Sequence, residues 1–334
     1  MPRALVTGAT GQVGSYIVER LAADGWSVRA LVRNPASAAW LANSDVALVQ
    51  GDVLDPASLM PAANGCDAIF HAAALVTASS WNSYRAINVI GTQHVVDAAA
   101  ASGARLLQVS SVAVYGREMR FQDHPTDEET PLRPLPDTAW YARSKRESES
   151  LVMNAHRAGR IWATAVRPDV IYGRRDRQFV PRIARAIARG FLPVIGGGVS
   201  TLAIVHAANV ADGAVRAVRC DAAGGKAYNL ANESAVTVAE FARLAGQGLG
   251  QRVRLVPVPH GVARGAFAGL AAILHLTGHA ALAIHAASSL EFLTRDNPFS
   301  SALARRELHW SPPVLPQDGV PDAFAWWKKT ARQP

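Results

Sequence analysis

Short apolar runs alternate with longer amphipathic stretches along the first part of the chain. The apolar runs cover residues 4–7, 27–32, 46–50, 67–71 and 105–110. They are continuous rather than alternating, which is typical of strands that are buried on both faces of a sheet. The intervening helical patterns cover residues 16–23, 35–41, 56–62 and 84–102. Strands and helices that alternate in this way predict a parallel sheet with helices on both faces.

The pattern changes farther along the chain. A further helix is predicted at about 138–158, ended by Gly159, and a buried strand at 161–166. An Arg-rich helix and a glycine run follow within 173–200, and 233–334 holds helices, prolines and little strand signal apart from 252–258. The sequence therefore predicts an α/β fold, a Rossmann-type doubly wound parallel sheet with a smaller, mainly helical C-terminal substrate-binding region.

These patterns also predict a division into domains. We expect a dinucleotide-binding domain at 1–166, to which 201–232 partly returns. Residues 167–200 and 233–330 are expected to form a substrate-binding and lid region.

Composition favours a globular protein in a reducing compartment. The 334 residues are 49% hydrophobic and 18% charged, which excludes intrinsic disorder. Cys66 and Cys220 lie far apart and in no Cys-x-x-Cys pair, so neither a disulfide framework nor a thiolate zinc site is predicted. No secretory signal precedes the first apolar run, and we expect a cytoplasmic protein.

The chain is basic, with 34 Lys and Arg against 26 Asp and Glu and a formal net charge of +8. Almost all of the positive charge is Arg, and it is scattered rather than gathered in a tail. The sequence offers no groove-reading helix, stacking platform or basic arm. The charge therefore favours phosphorylated small molecules over nucleic acid as partners.

A glycine-rich turn joins the first predicted strand to the first predicted helix. Its candidate cofactor-binding residues are Gly8, Thr10, Gly11, Gln12, Val13 and Gly14. Glycines permit a tight turn and close approach to a pyrophosphate, whose charge is favoured by the free amides of a helix N-terminus. Such loops also serve as plain turns, but a strand before and a helix after are the context that a dinucleotide site requires.

The end of the second strand indicates which dinucleotide binds. An acidic residue there holds the ribose of NAD, whereas an Arg suits the 2′-phosphate of NADP. Val32 stands where the acid is expected and Arg33 follows it, so NADP(H) is favoured over NAD(H). The alternative is that Arg33 is a solvated residue at a strand end. Asp52 and Val53 are predicted beside the adenine, although Asp is also common in turns.

Three further residues predict proton-transfer chemistry. Tyr141 and Lys145 lie four residues apart on a predicted helix and share one face. A nearby ammonium favours phenolate and lowers the pKa of a tyrosine, which can then transfer a proton near neutral pH. Ser111 places a hydroxyl at the carboxyl edge of the sheet, where doubly wound folds bind ligands. Alone, a Tyr/Lys pair on a helix and a Ser at a strand end are both common.

Taken in order, these motifs resemble the extended short-chain dehydrogenase/reductase family, that is, the NAD-dependent epimerase/dehydratase superfamily. The resemblance extends to about residue 218, and its segments are 7–14, 71–74, 88–92, 111–116, 141–145, 167–173 and 205–206. The tail from 295 to 312, with Trp326, resembles the 3β-hydroxysteroid dehydrogenase-like branch.

The resemblance implies roles for the catalytic residues. Ser111 would hydrogen-bond the substrate oxygen, and Tyr141 would donate its proton during ketone reduction or remove it during alcohol oxidation. Lys145 would also hold the nicotinamide ribose. Asn88 is expected to be structural, and the family's dimers, formed through the helices that hold Asn88 and Tyr141, imply a homodimer.

The resemblance also implies the remaining cofactor contacts. Ala72, Ala73 and Ala74 would line the cofactor cleft, and the backbone at Pro168 and Val170 would face the nicotinamide.

An uncharged stretch follows residue 264. No Asp, Glu, Lys or Arg occurs from 265 to 290, which is long enough for a membrane span. Its Gly, Thr, Ser and His residues argue against a full span. We expect two helices, broken near residues 277–278, that form an apolar lid over the substrate, with peripheral membrane contact as the alternative.

The C-terminal half contains histidines and arginines that are candidate ligand sites. His275 and His279 have a spacing that can share a metal, but no acidic third ligand lies close, and His206 ends an apolar strand. We predict no metal. A second cluster is formed by Arg174, Arg175, Arg177, Arg182, Arg185 and Arg189. It is either a solvated face or a docking surface for an acidic carrier protein, a CoA phosphate or an anionic lipid.

The leading hypothesis is an NADP(H)-dependent alcohol dehydrogenase or ketoreductase acting on a hydrophobic substrate, such as a sterol, a β-keto acid derivative or a polyketide. A nucleotide-sugar epimerase with bound NAD is the first rival, which the Val32-Arg33 pair disfavours. A sugar 4,6-dehydratase would carry Thr-Asp-Glu at 111–113, where this chain has Ser-Val-Ala. A dinucleotide-sensing regulator without turnover is the rival from another class, and such relatives usually lack the Tyr/Lys pair.

Overall fold

The computed structural model describes residues 1–43, 45–116, 125–188, 190–231, 235–277, 292–294 and 296–331. The chain divides into two compact units. The first, here called the sheet unit, comprises Met1–Asp169, Ala207–Ala231 and Phe299–Pro313. The second unit comprises Val170–His206, Asn232–Pro298 and Val314–Pro334.

Strands and helices are numbered along the whole chain. In the sheet unit they are β1 (Arg3–Thr7), α1 (Gln12–Ala23), β2 (Ser27–Val32), β3 (Val46–Gln50), α2 (Pro56–Ala63), β4 (Ala68–His71), α3 (Trp81–Tyr84), α4 (Gly91–Ser102), β5 (Arg105–Val109), α5 (Trp140–Arg157), β6 (Ala163–Pro168), α7 (Ala207–Arg219), β10 (Ala227–Leu230) and α10 (Ala302–Leu308). In the second unit they are β7 (Val170–Tyr172), α6 (Phe179–Ile187), β8 (Phe191–Ile195), β9 (Ile204–His206), α8 (Val238–Leu249), β11 (Arg254–Val258), α9 (His260–Leu276) and α11 (Pro316–Thr330).

Within the described residues, the sheet unit is built on seven parallel strands in the order β10-β6-β5-β4-β1-β2-β3. The order reverses between β1 and β4, because β2 and β3 extend the sheet on one side of β1 and β4 to β6 on the other. Sheets of this kind bind ligands outside the carboxyl ends of the strands at such a switch point.

Apolar side chains on both faces hold the sheet unit together. Leu5, Ile69 and Leu106, from three neighbouring strands, are fully buried. They share one core with Val95 of α4 and Val152 of α5. α1 packs against α7, and α4 packs against both α2 and α5. The Rossmann-type doubly wound fold predicted from the sequence is confirmed.

The sheet unit also includes 299–313, which the sequence pattern had assigned to the substrate-binding region. Trp310 is buried, and its Nε1 donates to the carbonyl of Asn209 on α7 (3.0 Å). Glu307 of α10 pairs with Lys226 (2.8 Å) next to β10. These contacts join residues far apart in sequence, so no local pattern could place the segment.

The second unit is mainly helical. β7 pairs with β9 and β8 with β11, both in parallel, and α8 packs against α11. Tyr172, Phe241 and Phe324 lie in its core. Within the described residues, none of the helices has the length and apolar character needed to cross a membrane.

Candidate active site

The turn between β1 and α1 requires glycine at two positions. Gly8 has φ +67°, and a Cβ built there would lie 2.6 Å from the amide nitrogen of Ala73. A Cβ on Gly14, in the first turn of α1, would lie 2.1 Å from the carbonyl oxygen of Gly8. The Gly11 amide closes the turn by donating to Gly8 (2.9 Å). Backbone therefore approaches backbone with no room for side chains, as a phosphate-binding turn demands.

One buried donor at this turn has no protein partner. Gln12 begins α1, and its Nε2 is buried without a hydrogen bond within the described part of the chain. Thr10 and Val13, on either side, are half-buried, and Gly11 is exposed. A buried unpaired donor costs free energy unless a ligand accepts from it. Together with the free amides of the α1 N-terminus, it suits an anionic pyrophosphate.

The candidate adenosine residues lie at the carboxyl ends of β2 and β3. Arg33 directly follows β2 and is exposed. Asp52 is half-buried, and its Oδ1 accepts from the amide of Leu54 (3.0 Å). Val53 is buried, and its carbonyl is 2.9 Å from Nδ1 of His94 on α4. β2 pairs with β1, so Arg33 lies on the strand next to the glycine turn.

The segment after β4 packs against the glycine turn. Ala72 donates to the carbonyl of Thr7 (3.2 Å), and the Ala73 amide donates to the Thr7 hydroxyl (3.4 Å). Ala72, Ala73 and Ala74 are all half-buried in an irregular stretch. The structure thus brings this segment and Gly8 together, as a shared cofactor site requires.

Asn88 holds the far end of that segment. Its Oδ1 accepts from the amide of Leu75 (2.7 Å), and its Nδ2 donates to the Leu75 carbonyl (2.9 Å) and to the hydroxyl of Ser144 on α5 (2.9 Å). Asn88 lies in a π-helical turn, Arg85–Ile90, between α3 and α4. We call this arrangement the Asn88 clasp. The sequence predicted a structural role for Asn88, but its pairing with Leu75 could not be predicted.

Ser111, Tyr141 and Lys145 meet at the carboxyl end of β5. Ser111 caps a short 3₁₀ turn, Val112–Tyr115, and its Oγ accepts from the amide of Ala113 (3.2 Å). Tyr141 lies in the first turn of α5, with its hydroxyl next to Ser111. One turn farther along α5, Lys145 is buried and its Nζ donates to the carbonyl of Val109 (2.8 Å).

Burial governs the proton affinities of the helical pair. It raises the pKa of Tyr141, while the adjacent Ser111 side chain lowers it and the neighbouring Tyr84 raises it. Burial also lowers the pKa of Lys145 to about 8, opposed by the negative charge of Glu149. From the sequence we expected Lys145 to lower the pKa of Tyr141. The structure instead directs Nζ to Val109, so burial dominates the tyrosine.

His71, at the end of β4, lies in the same buried network. Its Nδ1 is 2.7 Å from Oγ1 of Thr7, and its Nε2 is 2.9 Å from Oγ1 of Thr92. The Thr92 hydroxyl donates to the carbonyl of Asn88 (2.6 Å), so the hydrogen between it and His71 comes from Nε2. Burial, then the charge of Lys145, lower the pKa of His71 to about 3. A neutral, Nε2-protonated imidazole therefore links β1, β4 and α4.

A buried ion pair lies one turn beyond Lys145. The guanidinium of Arg167 donates through Nε and Nη2 to the carboxylate of Glu149 (Nε to Oε2, 3.0 Å). Its Nη1 donates to the hydroxyl of Tyr115 (2.8 Å), which in turn donates to Asn229 on β10 (2.9 Å). Burial lowers the pKa of Arg167, but the bonds and charge of Glu149 outweigh it and raise the value. Sequence reasoning missed this network because its members lie on four separate elements.

The residues assigned to the nicotinamide divide between the two units. Pro168 ends β6 in the sheet unit, whereas Val170 begins β7 in the second unit and is exposed. The Arg-rich cluster also lies in the second unit, where Arg174 pairs with Asp322 (2.8 Å) and Arg182 and Arg185 are exposed on α6. Arg189 lies outside the described residues.

The described residues contain no group of three or more His, Cys, Asp and Glu side chains that could hold a metal. His206 ends β9 with its ring edge-on to Tyr172 (5.1 Å between centroids). His279 lies outside the described residues, as does residue 278, the other half of the predicted helix break. The absence of a metal stays a prediction, as do the homodimer, the cytoplasmic location and an acyl carrier or CoA partner.

The sheet order, the glycine turn at the switch point and the Ser/Tyr/Lys group define a Rossmann-type dinucleotide enzyme. The model of the NAD-dependent epimerase/dehydratase family matches residues 4–231. The chain belongs to this family, and so to the extended short-chain dehydrogenases/reductases, as the sequence predicted.

Relatives of named activity place the chain among the oxidoreductases. It is 31% identical to the 4-hydroxy-2-methyl-3-oxo-4-farnesyl-3,4-dihydroquinoline-1-oxide ketoreductase of Stigmatella aurantiaca, covering 95% of this chain and 94% of that one. It is 28% identical to a 3β-hydroxysteroid dehydrogenase/Δ5→4-isomerase of Mycobacterium tuberculosis, covering 97% and 90%. The crystal structure of gox2253 is similar over 100% of both chains, at 26% identity and a TM-score of 0.80. The predicted branch and the enzyme class, an oxidoreductase acting on CH–OH groups, are confirmed.

Proposed function

We propose that this chain is an NADP(H)-dependent ketoreductase that interconverts a ketone and a secondary alcohol on a hydrophobic substrate. The observation that carries the proposal is that the hydroxyls of Ser111 and Tyr141 lie next to each other, one helical turn from buried Lys145. Two adjacent hydroxyls at the edge of the sheet where ligands bind can both donate hydrogen bonds to one substrate oxygen.

Each residue has a defined task in this reaction. Ser111 donates a hydrogen bond that holds the substrate carbonyl oxygen, and Tyr141 Oη gives that oxygen its proton in the direction of reduction. A bound nicotinamide supplies the hydride to the carbonyl carbon or accepts it in reverse. Lys145, which is mainly protonated at pH 7 with a pKa of about 8, lies one helical turn from Tyr141 and would hold the nicotinamide ribose.

Hydrogen bonds hold the elements that carry Ser111 and Tyr141 in fixed positions. Ser111 is fixed by its bond to Ala113, and Arg146 of α5 donates to the carbonyl of Val114 in the same turn (3.0 Å). The turn that carries Ser111 and the helix that carries Tyr141 are therefore tied together. Held geometry of this kind contributes to rate by orienting the reacting groups.

Two features support the cofactor and substrate. Arg33 follows β2 with Val32 in place of an acid, which favours the 2′-phosphate of NADP. The relatives named for a farnesylated quinoline ketone and for a hydroxysteroid both carry names of large, apolar substrates. An apolar substrate class is proposed for this chain on that basis.

The test is reduction of a ketone panel that includes steroid and long-chain 3-oxo compounds, followed by loss of NADPH absorbance. Wild type should turn over at least one hydrophobic ketone. Tyr141→Phe should lose at least a hundredfold in kcat while still binding NADPH, because only the transferable proton is removed. Tyr228→Phe is the matched control, since that hydroxyl donates to Glu307 in the sheet unit (2.7 Å). Unchanged turnover in Tyr141→Phe would refute the mechanism, and NAD retained through purification would favour an epimerase.

A further inference from the structure

Helix α9 carries an apolar stripe on its exposed side. Val262, Ala266, Gly269, Ile273 and Leu276 follow one another at spacings of four and three residues, so they share one helix face, and all are exposed. The exposed fractions of the three largest are high: 62% for Val262, 59% for Ile273 and 87% for Leu276. Such a row is unusual on a protein surface in water.

The helix is attached to its unit by a different face. Ala263 is buried and Phe267 is half-buried. The ring of His260, in the first turn, lies against the end of β8, since a Cβ built on Gly196 would be 2.2 Å from its Nε2. Fixed at this end, α9 presents the stripe outward rather than into the core of the second unit.

The two-stranded sheet that precedes α9 also exposes apolar residues. β8 and β11 pair with Phe191 opposite Arg254 and Pro193 opposite Val256, and all four residues are exposed. The last residue of β11, Val258, lies two residues before α9 begins. The outer face of this sheet and the stripe of α9 together form what we call the α9 surface.

The chain segment that contains β11 and α9 carries charge of one sign. Residues 241–277 contain Arg243, Arg252, Arg254 and Arg264, all exposed, and no Asp or Glu. An anionic partner complements this charge. Contact with a second copy across a two-fold axis would place arginines opposite arginines, with no acidic residue of the segment to pair them.

We propose that the α9 surface docks on a membrane that contains anionic lipid, with α9 lying in the plane of the interface. The apolar stripe enters the boundary between headgroups and acyl chains, and the arginines remain among the phosphates. α9 has 17 residues, and within the described part of the chain it lacks the length needed to cross a bilayer. The inference does not depend on the proposed reaction, because docking is measured without turnover.

Sedimentation of the full chain with vesicles tests the proposal. Wild type should pellet with phosphatidylcholine vesicles that contain phosphatidylglycerol, and binding should fall in high salt and on phosphatidylcholine alone. The double variant Ile273→Glu, Leu276→Glu should bind these vesicles at least about tenfold more weakly than wild type, because it places carboxylates in the stripe. Met60→Glu on α2, where Met60 is 45% exposed, is the matched control and should bind as wild type.

Three results would overturn the proposal. They are wild type that stays in the supernatant with anionic vesicles, a double variant that pellets like wild type, and a wild-type dimer that the double variant converts to monomer. The last result would assign the stripe to a contact between copies. If the glutamates lower the melting temperature, Ile273→Ser with Leu276→Ser makes the same comparison with less perturbation.

Discussion

At the scale of residues, the ion pair between Glu149 and Arg167 deserves the first test, because it is buried beside Lys145. Removing one partner of a buried pair strands the other charge, which typically costs about 3–5 kcal/mol. We therefore expect Glu149→Gln to lower the free energy of unfolding by that order. The double variant Glu149→Leu, Arg167→Met leaves no unpaired charge. It should therefore recover most of the free energy of unfolding that Glu149→Gln loses, as measured by urea unfolding.

The same double variant carries a kinetic prediction. The titratable groups that interact with Lys145 are Glu149 on its own helix and His71 from β4, whose pKa of about 3 keeps it neutral at the pH of the assay. Glu149 raises the pKa of Lys145, so its loss should move the alkaline limb of the kcat profile to lower pH. If the alkaline limb of the kcat profile does not move in a folded double variant, the Glu149–Arg167 pair has only a structural role.

Arg33 gives a prediction about cofactor choice. An Arg bound to a phosphate group forms charge-assisted hydrogen bonds that Ala cannot replace. Arg33→Ala should therefore raise the KM for NADPH about tenfold and leave the KM for NADH unchanged. Arg157→Ala, another exposed arginine of the sheet unit, is the matched control. Equal losses for the two nucleotides would show that Arg33 does not read the 2′-phosphate.

At the scale of elements, the close contact within the glycine turn makes it sensitive to a single methyl group. Gly14→Ala would set a Cβ 2.1 Å from the carbonyl of Gly8, so the turn must open. We expect at least a tenfold loss of nucleotide affinity by calorimetry. Gly265→Ala on α9 is the matched control, because a Cβ there has nothing within 4 Å. Equal affinities in the two variants would remove the turn from the nucleotide site.

The elements differ in how far their positions follow from sequence. Continuous apolar runs predicted the inner strands of the sheet unit, such as β1, β4 and β5, because these strands are buried on both faces. The three-residue strands β7 and β9 leave too short a pattern to stand out. The Asn88 clasp and the Arg167 network depend on partners such as Leu75 and Glu149 that the fold brings together. The sequence therefore predicted Ser111, Tyr141 and Lys145 as candidate site residues, but not the hydrogen bonds that hold Ser111 and Lys145 in place.

At the scale of the whole molecule, two buried histidines make stability depend on pH. Burial lowers the pKa of His71 to about 3 and, in the second unit, that of His206 to about 4. Both folded values lie below the ordinary value of 6.5, so the unfolded chain binds protons first. The contribution of these histidines to the free energy of unfolding is therefore fully present above pH 6.5, and it falls as the pH drops below 6.5.

The expected slope is about 1.4 kcal/mol per pH unit for each histidine once the pH is well below 6.5. Unfolding by urea between pH 7 and 5 measures it. His206→Gln should remove the contribution of the second unit and leave that of His71. A stability that is flat between pH 7 and 5 would mean that neither histidine is buried in its neutral form.

The central claim is that the Ser111, Tyr141 and Lys145 site reduces a hydrophobic ketone with a hydride from NADPH. NADPH deuterated at the transferable position of C4, offered with the ketone that wild type reduces fastest, tests it most directly. Mass spectrometry should find one deuterium at the carbinol carbon of the alcohol, and Tyr141→Phe should form this alcohol at least a hundredfold more slowly. An alcohol without deuterium, or equal labelling by Tyr141→Phe, would contradict the account.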